Sequence, residues 1–107
     1  MKFYIKQNDT APILAATLKD ADENAVDLDG SSVRFHMREV GGTTSKVDAA
    51  ATLVDANAGQ VKYTWAADDT DTIGSYQAEF EVTYGDSRIE TFPNNGYIQV
   101  EIIDDIA

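Results

Sequence analysis

The sequence predicts an all-β chain of about seven to eight short strands, arranged as a sandwich or a barrel. Three observations carry that prediction. Apolar residues recur at every second position in segment after segment, the period of a strand with one buried face. Turn-forming residues separate these segments at the spacings usual for small all-β folds. The 107 residues are 43% hydrophobic and 25% charged, an ordinary globular mixture that argues against collagen, coiled coil and wholesale disorder. The length suits one domain over residues 1–107, and no linker or repeat divides it.

In chain order, Phe3–Gln7 and Ile13–Leu18 are short strand candidates. An acidic loop over residues 20–29 follows and turns at Gly30. Val33, Phe35 and Met37 then alternate with Arg34, His36 and Arg38, and Gly41-Gly42 closes the segment. Val47–Leu53 reads as a strand, because its Thr and Val and its shortness outweigh the alanines that would suit a helix. Asn57-Ala58-Gly59 turns into Val61, Tyr63 and Trp65, which alternate with Lys62 and Thr64. Ser75–Tyr84 is the clearest strand, with Tyr76, Ala78, Phe80, Val82 and Tyr84 on one face and Gln77, Glu79, Glu81 and Thr83 on the other. A helix there would bury the glutamates. Gly85-Asp86 predicts a tight hairpin into Arg88–Phe92, and Asn94-Asn95-Gly96 a turn into Ile98, Val100 and Ile102. Pro12 and Pro93 fall at strand margins, where a missing N–H does least harm. The basic stripe Arg34-His36-Arg38 and the acidic Glu79 and Glu81 lie on solvent faces. Their complementarity predicts that these two strands pair.

Charge narrows the partners. Eight Lys and Arg against nineteen Asp and Glu leave a net charge of −11, so nucleic acid and anionic bilayers are disfavoured and a basic protein partner is favoured. No apolar run is long enough to span a membrane. Lys2, Lys6 and Asp9 interrupt what would be a signal core, so a native start without a secretory signal is expected. Without cysteine there is no disulfide, thiolate metal site or cysteine nucleophile.

Candidate chemistry is sparse. The acidic loop spaces oxygen ligands as a calcium loop does. However, Ala25 stands where a sharp-turning Gly is needed and Ser31 where a bidentate Glu is needed, so a solvated loop is expected. In Asp68-Asp69-Thr70-Asp71-Thr72, side chains are expected to bond nearby backbone. His36, the only histidine, is expected to face outward between two arginines, which leaves a Ser–His–Asp arrangement unsupported. No catalytic, cofactor-binding or metal-ligating residue is expected, and the chain reads as a non-enzyme. Most aromatics fall on inward faces. Tyr4 and Tyr97 fall on the opposite parity and are the expected contacts for a neighbouring subunit.

Several segments in order form a pattern: Ile5-Lys6-Gln7-Asn8-Asp9-Thr10-Ala11-Pro12, Val26-Asp27-Leu28-Asp29-Gly30 into Val33-Arg34-Phe35, Ala58-Gly59-Gln60-Val61, Gly74-Ser75-Tyr76-Gln77-Ala78-Glu79-Phe80, and Phe92-Pro93-Asn94-Asn95-Gly96-Tyr97. This set resembles the N-terminal domain family of phage baseplate upper proteins. The resemblance implies an immunoglobulin-like antiparallel β-sandwich and a virion structural role in the tail or baseplate. Partners would be other virion proteins of tail, baseplate or head, with self-association a further option. The protein would be made in the host cytoplasm and reside in the virion. The chain stops after its last strand, so host adhesion is not implied. The rivals are a capsid decoration or head–tail joining protein, and a carbohydrate-binding adhesin module. The resemblance also places Tyr76 at a sheet corner, with its hydroxyl on nearby backbone. Ala78 takes the place where an antibody domain has a cysteine, and Phe92-Pro93 caps the core.

Overall fold

The computed structural model describes residues 1–106. Nine strands form: β1 (Lys2–Lys6), β2 (Leu14–Thr17), β3 (Ser32–Glu39), β4 (Ser45–Ala50), β5 (Thr52–Asp55), β6 (Gln60–Tyr63), β7 (Gly74–Thr83), β8 (Ile89–Phe92) and β9 (Ile98–Ile103). They make two sheets, a β-sandwich. One has the order β1-β9-β7-β3-β4 with β8 also on β7, and the other the order β2-β6-β5.

The strand count exceeds the expected eight because the single expected strand Val47–Leu53 is two. Ala51 alone separates β4, at the edge of the large sheet, from β5, at the edge of the small one. The chain switches sheets there, and the Ala51 N–H bonds to Val33 O at 2.9 Å. Every pairing is antiparallel except β1 with β9, which run parallel from Lys2↔Gln99 to Lys6↔Ile103. β6 ends at Tyr63, two residues short of Trp65, yet Trp65 stays buried and its Nε1 donates to Pro12 O at 3.1 Å.

The predicted stripe pairing is present, with Arg34 opposite Glu81 and His36 opposite Glu79. β7 is the spine of the large sheet. One edge pairs with β3 along Tyr76–Thr83. The other edge is shared by two strands in line. β9 covers Gly74–Ala78 and β8 covers Phe80–Thr83. Residues 93–97 leave the sheet between β8 and β9 and return, an excursion opposite Glu79.

The core lies between the sheets. Phe35 is fully buried; it stacks on Tyr63 at 4.4 Å, meets Phe80 at 5.3 Å and packs edge-on to Trp65 at 5.7 Å. Phe35 and Tyr63 belong to opposite sheets, so aromatic packing joins the layers where a cysteine bridge is absent. Tyr76 sits at the corner as expected, its hydroxyl donating to Thr72 O at 2.7 Å. Phe92 and Leu28 are buried, so the acidic loop is pinned to the sandwich through Leu28.

Candidate functional site

The outer face of the large sheet gathers the basic stripe and the two glutamates that the sequence singled out. Alternation sends Val33, Phe35 and Met37 inward and turns Arg34, His36 and Arg38 outward. Each then finds a partner on a neighbouring strand. Arg34 Nε donates to Asp48 Oδ1 at 2.9 Å on β4, rather than to Glu81. His36 stands between Asp48, at 3.2 Å from Nε2, and Glu79, at 3.3 Å from Nδ1. It is outward, as its parity dictates, but half-buried and clamped by two carboxylates, a closeness set by strand pairing and not visible in sequence. Arg38 Nε donates to Gln77 Oε1 at 3.2 Å, and its guanidinium lies 5.5 Å from the Tyr97 ring centroid. Along β9, Glu101 accepts from the Ser75 hydroxyl at 2.6 Å and from Gln99 at 2.7 Å.

Electrostatics follow these contacts. The Arg34 guanidinium, hydrogen-bonded to Asp48, holds that carboxyl below its ordinary value, and His36 adds to the effect. The Ser75 hydroxyl does the same for Glu101, with Gln99 assisting. Burial, aided by its bond to Glu90, pushes the Tyr84 hydroxyl up to about 12.

Tyr4 and Tyr97 are 55% and 47% exposed, respectively, as partner contacts would have to be. Both stand on the outer face, because Ile5 and Ile98 beside them point inward. The register Tyr4↔Glu101 separates them by about 13 Å along the strands, so they do not share a pocket. Tyr97 borders two cavities. One, of about 290 Å³, lies on the outer face among His36, Arg38, Thr43, Ser45, Asp48 and Gln77. The other, of about 210 Å³, opens between the sheets.

The acidic loops have local roles. Asp20 Oδ1 accepts the backbone N–H groups of Asp22 and Asn24, at 2.9 and 3.0 Å. Asp69 accepts the Tyr63 hydroxyl and the Ala66 N–H, and the buried Thr70 hydroxyl donates to Asp9 O at 2.7 Å. Among the described residues no three His, Asp or Glu side chains converge as a metal-holding group.

Two sheets, an aromatic core and a cross-linked polar face define a β-sandwich structural module. The module is of known kind: the chain belongs to the BppU N-terminal domain family, a baseplate upper protein family, whose model matches residues 2–105. The resemblance read from the sequence therefore holds, and it makes the chain a phage baseplate structural protein by family. The crystal structure of CopC from Methylosinus trichosporium OB3b is similar over 99% of this chain and 87% of that chain, with TM-score 0.57 and 14% identity. That likeness concerns the fold alone. No curated protein matches the chain.

Proposed function

We propose that this chain is a non-enzymatic tail or baseplate assembly subunit, folded as one domain and docking onto other virion proteins through sheet edges, loops and the outer face. Family membership supports the address. The observation that carries docking is the pair of half-exposed tyrosines, Tyr4 and Tyr97, on one outer face. Large rigid aromatics with a polar tip are what interface cores use. Edge strands offer unpaired backbone groups for docking. β1 is an edge strand, but the terminal strand β9 is interior, between β1 and β7. The free edges are β1, β8 and β4 in the large sheet and β2 and β5 in the small one.

Mass spectrometry of purified virions, with chemical cross-linking, tests this reading. The polypeptide is expected in intact particles, with cross-links near Lys2 or Lys6 to another virion protein. Tyr97→Ala and Tyr4→Ala are expected to lower incorporation while leaving the thermal midpoint near the parent's. A polypeptide absent from particles overturns the proposal.

A further inference from the structure

Exposed apolar side chains are not spread evenly over the molecule. Ten large ones stand exposed among the described residues, and six belong to the outer face of the large sheet: Tyr4, Val40, Ile73, Ile89, Tyr97 and Ile103. Strand parity puts them there. Tyr4 and Ile103 adjoin the buried, inward Ile5 and Ile102, and Ile89 lies opposite Thr83, next to the inward Val82. Val40 comes two residues after the outward Arg38 and prolongs the β3–β7 ladder, its N–H donating to Ser75 O at 3.0 Å. Ile73 comes two residues before the outward Ser75, and one further step of the β7–β9 register sets it opposite Ile103. Val40, Ile73, Ile103 and Tyr4 thus form one patch across four neighbouring strands, around the Ser75–Glu101 hydrogen bond.

The same face is electrically balanced. Lys2, Lys6, Arg34 and Arg38 point outward from its strands. So do Asp48, Glu79, Glu81 and Glu101. Lys46, the extra residue at the β4 irregularity, turns instead to Asp71 at 2.6 Å, a pair that is itself neutral. Four of the eight cations and four of the nineteen carboxylates therefore stand on this face, and the whole net charge of −11 lies elsewhere. Two copies that met through the remaining surface would set net-negative against net-negative. Through this face they meet without net repulsion, whereas a basic partner would be drawn to the acidic remainder. Area is adequate as well. Strand spacing and rise give the six strands a flat face of roughly 600 Å² per copy, which side-chain relief enlarges toward the about 800 Å² per partner of a stable interface.

We propose that the outer face of the large sheet is a self-association surface, on which a second copy of this chain packs face to face over the Tyr4–Val40–Ile73–Ile103 patch. A two-fold pairing brings the same patch from both copies, so apolar surface meets apolar surface. Arg34 and His36 already hold Asp48, and Ser75 and Gln99 already hold Glu101, so covering the face leaves these carboxylates with partners. The inference rests on the outer-face docking read above and names its partner, leaving sheet edges and loops to other virion proteins.

Sedimentation equilibrium of the purified full chain tests it, together with cross-linking at single introduced cysteines, since the chain has none of its own. A dimer is expected at micromolar concentration. Added salt is expected to tighten it, because screening removes the long-range repulsion between two acidic chains while the apolar contact stays. Ile73→Glu and Ile103→Glu place a charge in the patch and are expected to weaken the dimer about tenfold or more, the scale of a lost interface anchor. Val54→Glu adds the same charge at an exposed site on the small sheet and is expected to leave the dimer as it was. All three variants are expected to melt near the parent's midpoint. A short bismaleimide is expected to join copies of Ile73→Cys and not of Val54→Cys. A monomer at these concentrations, a dimer unmoved by Ile73→Glu, or one cross-linked through position 54 overturns the proposal. A monomer that is still found in virions leaves the assembly reading standing, whereas a dimer absent from virions takes down that reading and leaves this surface.

Discussion

Gly59 holds φ at +69°, and a Cβ there would lie 2.8 Å from Leu18 O and 2.9 Å from Val26 O. Both obstacles are backbone, so they cannot swing aside. Gly59→Ala is expected to lower unfolding free energy by roughly 2–4 kcal/mol, read from urea melts, as left-handed strain and the clash combine. Tyr76→Phe deletes the 2.7 Å bond to Thr72 O and is expected to cost about 1 kcal/mol in the same assay. The turn at Gly59 was legible as a short local pattern, and the corner at Tyr76 was implied by the family resemblance. The clamp on His36 was not, because Asp48 and Glu79 come from two other strands. Sequence parity gives the side a residue faces, and only the folded register gives its neighbours.

β7 and β3 pair on both of their edges, whereas β2 and β1 pair on one. Opening an interior strand exposes buried apolar surface on both flanks. Hydrogen exchange is therefore expected to be slowest at Phe35 and Ala78 and orders of magnitude faster at Ala15 and Thr17. Equal protection at these sites would contradict the strand order. Elements with strict alternation, β3 and β7, were legible almost to the residue, as was their mutual pairing from charge. The break at Ala51 was silent because the alternation runs through it: Val47 and Ala49 pack into the core from one sheet, and Ala51 and Leu53 continue the period into the other. The parallel β1–β9 pair was equally silent, since nothing local to either segment encodes the direction of a partner some ninety-seven residues away.

The molecule as a whole is governed by its charge. Asp48 and Glu101 are held below their ordinary values, as are Asp71 by Lys46 and Asp86 by Arg88. A carboxyl with a lower pKa folded than unfolded contributes stability fully present above the unfolded value, and lost as pH falls through the folded one. The thermal midpoint is therefore expected to drop on acidification below about pH 4. At neutral pH, where the net charge is −11, added salt is expected to raise the midpoint by screening self-repulsion. Differential scanning calorimetry across pH and salt checks both. The side-by-side, same-direction pairing of β1 and β9 has a mechanical consequence. Tension applied at the start of β1 and the end of β9 slides one strand along the other. It loads all the rungs from Lys2↔Gln99 to Lys6↔Ile103 together instead of peeling them one by one, so the fold is built to bear a pull along these two strands.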